Sequence, residues 1–274
     1  MVKLKNATVL YADILGFSIS AAEPGAARAL DQLSDVAHIL STEDSLAKYL
    51  QRPVWTARYR LSDSIFLVAD QRLSACRAAA EFFFNLAFYN ASQEIPVLMR
   101  GALAFGEVRK TRPMFPETGR GNLVGPAVVR AVQLERSGPK GPRLLVSPEV
   151  AEGLKRDAAL NRLLDHQGGI SELLWLLPGD IAGAEGLLIG DVASAACRHA
   201  LSTPPASAAW PHLAAYADLA VRSLLRLKQH NREAARIAIA KASIDVLRDR
   251  LIRLFDRAEK NSTQARESLL RLLK

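Results

Sequence analysis

The sequence predicts an α+β fold: a ferredoxin-like, split βαβ core with a C-terminal α-helical extension. Three observations predict it. Apolar strand-like and amphipathic helical stretches follow one another as strand, helix, strand, strand, helix, strand, then a smaller strand–helix tail. A polar turn, Leu61-Ser62-Asp63-Ser64, joins two of the strands as a hairpin. From Trp210 to Lys274 there is no strand signal and no glycine, while Leu219, Leu224, Leu227 and later Val246, Leu251, Leu254 recur at helical spacing. Such a core implies helices on one sheet face.

Each element has a local reason. Ala7 to Ala12 is an apolar run with Thr, Val and Tyr, ending at Asp13, as a buried strand does. A helical pattern runs from Gly16 to about Leu50, broken into two helices at Pro24-Gly25. Val54–Tyr59 and Ile65–Ala69 are the hairpin strands. Leu73 to Asn90 is a helix with Phe82, Phe83, Phe84 and Phe88 as core bulk. Val97–Val108 is a strand, and residues 109–121, rich in Arg, Pro and Gly, form a long loop or hairpin tip. Pro126 opens a helix to Glu135. Leu144–Val146 is a short strand, and Ser147-Pro148 caps and starts the next helix. Leu173–Leu177 reads as a late strand, and Ser202–Pro211 as a linker. Two or three amphipathic helices follow, giving units at 1–200 and 201–274.

Composition narrows the function classes. The chain has 274 residues, 49% hydrophobic and 23% charged, which excludes disorder for its bulk. Cys76 and Cys197 are too few for a metal cluster or a disulfide framework. The five histidines lack metal-ligand spacing. Asp13 stands too early for a secretory signal, and no uncharged run spans a bilayer, so a cytoplasmic protein with no membrane partner is expected. The net charge is +8, which raises nucleic-acid binding as a question. Residues 210–274 hold 14 Lys+Arg against 7 Asp+Glu, so the excess belongs to the helical tail. Basic residues on amphipathic helices are ordinarily a solvated face, and no nucleic-acid partner is expected.

The chemistry concentrates in YADILGFS, residues 11–18, and RYRLSDSIFLV, residues 58–68. Asp13 ends a buried strand and is followed by a glycine turn into a helix. Its carboxylate faces the crevice beyond the strand, and the following amides can hold phosphate oxygens. Asp63 lies in the hairpin, and in a split βαβ core that hairpin adjoins the first strand. The two carboxylates then converge. They repel unless a cation joins them, and hard divalent ions bridging carboxylate and phosphate suit that placement.

These segments resemble class III nucleotidyl cyclases. YADILGFS is similar to their first metal motif, and SDSIFLV to their Gly-Asp hairpin, with Ser62 in place of Gly. MRGALAFGEV, residues 99–108, is similar to their Arg-aliphatic-Gly strand, and GPAVVRAVQLE, residues 125–135, to their last helix motif. The ordered set covers residues 8–136. The resemblance implies a class III cyclase catalytic core that closes a nucleoside triphosphate into a 3′,5′-cyclic nucleotide and pyrophosphate. It implies two Mg²⁺ or Mn²⁺ ions held by Asp13, Asp63 and the Ile14 carbonyl. Amides around Gly16, Phe17 and Ser18 would hold the phosphates, in a head-to-tail homodimer with shared sites.

The departures refine this. Where purine cyclases carry a base-reading Lys and Asp, this chain has Tyr59 and Asn122. A phenol shrinks a base pocket, which favours a pyrimidine, and Asn122 offers both donor and acceptor. Both also suit ordinary strand and turn positions. The helix Asn and Arg become Val129 and Gln133. Another cation then has to serve the transition state (Arg130 above all, with Arg100, Arg58 and Arg60 as alternatives), or the chain binds nucleotide without turning it over. The pattern resembles the pyrimidine cyclases of bacterial Pycsar antiphage systems. That implies UTP, or alternatively CTP, as substrate, and a cyclic product sensed by a separate effector that the cyclase does not bind directly.

Overall fold

The computed structural model describes residues 5–17, 26–49, 54–89, 91–93, 96–111, 122–167, 169–177, 185–258 and 262–274. The first half runs β1 (Lys5–Ile14), α1 (Ala26–Tyr49), β2 (Ala57–Leu61), β3 (Ser64–Ala69), α2 (Arg72–Tyr89) and β4 (Met99–Lys110). Then come β5 (Leu123–Val124), α3 (Pro126–Ser137), β6 (Leu144–Val146), α4 (Pro148–Leu154), α5 (Ala158–Asn161), β7 (Leu164–Gln167) and β8 (Ile170–Leu173). Among the described residues five helices close the chain: α6 (Glu185–Ser202), α7 (Trp210–His230), α8 (Arg232–Lys241), α9 (Ile244–Arg257) and α10 (Ser262–Leu272). The stretch from Trp210 thus holds four helices where two or three were expected, with breaks at Asn231 and Ser243 among them.

The sheet order is β2-β3-β1-β4-β6-β8-β7, with β5 paired to β4. Its first four strands have the ferredoxin-like order, with β1 antiparallel to both β3 and β4. The fold is therefore the α+β class expected. Helices cover both faces, however, against the expectation of one. Leu10, Ala12 and Ile14 of β1 enter the core that α2 supplies with Phe82 and Phe83. The alternate residues Ala7, Val9 and Tyr11 pack with Ala127 and Ala131 of α3. Strand alternation makes both faces of β1 apolar, and each needs a cover. Gly125 permits the second cover: its φ is +139°, and a Cβ there would lie 2.4 Å from the Glu107 carbonyl oxygen. Helix α3 thus starts hard against β4.

The late strand differs from the sequence reading. Residues Ile170–Leu173 form β8, and β7 pairs with it. The apolar run Leu174–Leu177 is instead a buried turn. There Trp175 donates from Nε1 to the Pro142 carbonyl at 2.8 Å and stacks on Tyr216 of α7. Burial pushes the Cys76 and Cys197 thiols up to about 12, which keeps them out of thiolate chemistry.

The helical tail is joined to the sheet by buried ions as well as by apolar packing. Arg222 of α7 meets Asp165 of β7 at 2.8 Å, Glu172 of β8 at 3.1 Å and Asp218 at 3.0 Å. Arg143 bonds the same Glu172 at 2.6 Å. One apolar cluster includes Leu10 of β1, Leu219 of α7 and Leu269 of α10. No helix among the described residues is long and apolar enough to cross a membrane.

Candidate functional site

Register brings the two candidate carboxylates together. Asp13, near the end of β1, lies opposite Ser64 on β3 and Arg100 on β4. The Ile14 amide donates to the Asp63 carbonyl at 3.3 Å, which ties the β2–β3 turn to the end of β1. Asp63 is close enough for its charge to act on Asp13. Burial, helped by that charge, pushes the Asp13 carboxyl above the usual carboxylate range, against the Ser64 hydrogen bond and the guanidinium groups of Arg100 and Arg136.

Around Asp13 the sheet face is polar. Ser64 donates to Asp13 Oδ1 at 2.7 Å, and the Tyr11 hydroxyl lies 3.1 Å from Ser64 Oγ. Arg100 is ion-paired to Glu135 of α3, which is 2% exposed. Burial raises the Glu135 carboxyl too, against the pull of Arg100. Sequence reading missed Tyr11, Ser64, Glu135 and Arg136. Strand alternation was the available signal for Tyr11, two residues before Asp13 on one face, and adjacency to Asp63 for Ser64.

Beyond the strand end, the Leu15 amide bonds the Leu98 carbonyl at 2.8 Å and Gly16 turns at φ +75°. Phe17 begins a helical turn and is partly buried against the core. A left-handed residue followed by a right-handed one is a succession that gathers amides into an anion-binding concavity. Ser18 lies outside the described residues.

The turn itself is strained. Ser62 stands where the resemblance has Gly, and its φ is +54°. The left-handed region costs a residue with a Cβ about 1–2 kcal/mol, partly offset because Gly adds entropy to the unfolded chain. Ser62→Gly is expected to stabilise the protein by about 0.5–1 kcal/mol in a thermal melt. A lower melting temperature would show that the serine side chain supports the turn.

The other expected residues fall elsewhere. Tyr59 pairs with Phe66, which pairs with Tyr11, so it shares the Asp13 face of the sheet. Burial raises its phenol. Asn122 is exposed beside Thr111, whose amide donates to its carbonyl at 2.8 Å. That is the far end of β4 from Arg100. Arg130 is not brought to the acidic pair: it bonds Glu149 Oε1 of α4 at 2.6 Å and the Phe105 carbonyl at 3.3 Å. Arg58 and Arg60 pair with Leu67 and Ile65, on the opposite sheet face. Arg100 and Arg136 are the cations whose charges act on Asp13. Val129 (54% exposed) and Gln133 share the outward side of α3.

Two carboxyl groups brought together, one of them half-buried, make a place where a divalent cation relieves repulsion between their charged forms. Among the described residues no group of three or more His, Cys, Asp or Glu side chains could hold a metal. A cation at Asp13 and Asp63 would therefore complete its shell with backbone, water or phosphate oxygens, as hard ions do.

No family model matches the chain, and no curated protein matches it. Among solved structures it is similar to the adenylyl cyclase CyaB from P. aeruginosa, with a TM-score of 0.48, 15% identity, and 63% of this chain and 95% of that one covered. It is similar to the monomeric guanylyl cyclase domain of the RhoGC fusion protein from the aquatic fungus Blastocladiella emersonii, with a TM-score of 0.48, 17% identity, and 62% and 95% covered. A bacterial light-regulated adenylyl cyclase gives a TM-score of 0.48, 16% identity, and 69% and 99% covered.

Proposed function

We propose that this chain is a class III-type nucleotidyl cyclase that converts UTP to 3′,5′-cyclic UMP and pyrophosphate. The observation that carries the reading is the convergence of Asp13 and Asp63 at the end of β1, beside the Gly16 turn, in the order of motifs the sequence resembles. In the reaction the ribose 3′-oxygen bonds the α-phosphorus, the bond from that phosphorus to the bridging oxygen of the β-phosphate breaks, and the hydroxyl proton leaves to solvent. Asp13, Asp63 and the Ile14 carbonyl would hold Mn²⁺ or Mg²⁺, which acidifies the 3′-hydroxyl and neutralises the triphosphate. The chain's own work is positioning: amides around Gly16 and Phe17 take phosphate oxygens, and no covalent nucleophile is required.

Base choice rests on Tyr59 and Asn122. Tyr59 narrows the space a base can occupy, and Asn122 can pair with a pyrimidine edge. Within one chain Asn122 lies far from Asp13 along β4, which favours a site shared between two copies in a head-to-tail homodimer. Arg130, held by Glu149 in one chain, keeps its proposed transition-state role only across such an interface. Arg100 and Arg136 are the nearer cations in this chain. The antiphage signalling role follows the sequence resemblance.

The test is turnover of ATP, GTP, CTP and UTP, each with Mn²⁺, followed by mass spectrometry. Cyclic UMP is expected. Cyclic CMP alone would move the substrate to CTP, and no cyclic product from either pyrimidine would sink the reading.

A further inference from the structure

We infer that Tyr11 and Ser64 form a directional hydrogen-bond relay that fixes the metal-binding face of Asp13, so that both are positioning residues of the site. The inference deepens the cyclase reading and rests on it for the metal.

A serine hydroxyl carries one proton. An ionised carboxylate only accepts, so that proton is committed to Asp13 Oδ1, 2.7 Å away. Ser64 Oγ then has only lone pairs to offer the Tyr11 hydroxyl at 3.1 Å, which must be the donor. The order Tyr11, Ser64, Asp13 is therefore set by proton count. Both donors of the relay are held in place. Tyr11 is 7% exposed, and its ring packs on Phe66 with centroids 4.8 Å apart. Ser64 is opposite Asp13 in the β1–β3 register and is itself buried.

Ser64 takes one lone pair of Oδ1, so Oδ2 is the oxygen with more lone-pair capacity to offer a cation. Groups that hydrogen-bond a ligating carboxylate orient it, and their loss commonly weakens metal affinity about 10–100-fold. Arg100, the other neighbour of Asp13 in the register, is engaged by Glu135. Among the described residues, Ser64 is the side chain seen hydrogen-bonded to this carboxylate.

The test is Mn²⁺ binding to the full chain without nucleotide, read by electron paramagnetic resonance, alongside a thermal melt. Ser64→Ala is expected to weaken Mn²⁺ binding about 10–100-fold. Tyr11→Phe should weaken it less, Ser64→Thr should restore it, and Tyr11→Phe should add nothing in the Ser64→Ala background. In turnover, the same variants should raise the half-saturating Mn²⁺ concentration while leaving nucleotide KM at saturating metal near its original value. A side chain that only supports the fold would shift the melt and leave Mn²⁺ affinity alone.

Unchanged Mn²⁺ affinity in folded Ser64→Ala, or additive losses in the double variant, overturns the relay. If Ser64→Ala does not fold, Tyr11→Phe and Ser64→Thr decide the matter through the same affinity. Mn²⁺ binding that depends on Asp13 and Ser64 in a protein making no cyclic nucleotide would keep the relay and reject the cyclase. Absence of Mn²⁺ binding to the unaltered chain overturns the relay by itself.

Discussion

Asp13→Asn is expected to lower turnover of UTP at saturating Mn²⁺ by about 10³-fold or more, because on the proposed cyclase reading it removes one metal-binding charge and with it several kcal/mol of transition-state stabilisation. The same substitution is expected to stabilise the metal-free protein at pH 7. Burial, first, and the Asp63 charge hold the folded pKa of Asp13 above its unfolded value. The unfolded chain gives up the proton more readily, so ionisation at neutral pH favours unfolding. That penalty disappears as pH falls through the folded and then the unfolded value. The gain from Asn should therefore be present at pH 7 and absent in acid below the usual Asp range. Asn keeps an oxygen for Ser64, so the local shape survives. Activity and melting temperature moving in opposite directions would mark Asp13 as functional. Equal turnover in variant and parent would remove it from the site.

Arg222→Met is expected to cost about 3–5 kcal/mol, the usual loss when one partner of a buried ion pair is removed. Arg222 is 5% exposed and touches three carboxylates, those of Asp165, Glu172 and Asp218. Burial opposes its charge, but Glu172, Asp218 and Asp165 more than compensate and hold its pKa up. Met fills similar volume and removes the cation these three carboxylates share, while Arg143 stays with Glu172 and Asp218 and Arg226 with Asp165. At about 2–4 °C per kcal/mol for a chain of this size, the melting temperature should drop by roughly 6–20 °C. Arg236→Ala, which breaks an exposed pair with Glu233, is the control and should barely move the melt. A melt unchanged in Arg222→Met would mean that the network is replaced by water at no net loss.

Much of the fold was legible because local chemistry and tertiary packing agreed. The β1–β3 hairpin neighbourhood followed from one apolar run ending in Asp13 and one polar turn at Asp63, and the register then placed them together. The start of α3 was legible from Gly125-Pro126 and that of α4 from Ser147-Pro148. Strand β7, Leu-Asp-His-Gln, was not, since its Asp165 pairs with arginines 57 and 61 positions away. Leu174–Leu177 was misread because an apolar run cannot tell a buried strand from a buried turn. The cover of α3 on the second face was missed because Ala127 and Ala131 are too small to advertise an apolar stripe. In the site, residue types indicated the acid pair, but Tyr11 and Ser64 needed three-dimensional register to acquire a role. The confinement of Arg130 by Glu149 spans two helices and left no local trace.

The shared core has a consequence for cooperativity. Trp175 of the sheet region stacks on Tyr216 of α7, Gly141 packs against Ala215, and Arg222 carries charge compensation for two strands. The tail helices and the sheet therefore hold their stability in common. Loosening α7 withdraws a cation from β7 and β8 and bares the turn beneath Trp175, so a perturbation far along the sequence from Asp13 reaches the far edge of its own sheet as lost folding free energy.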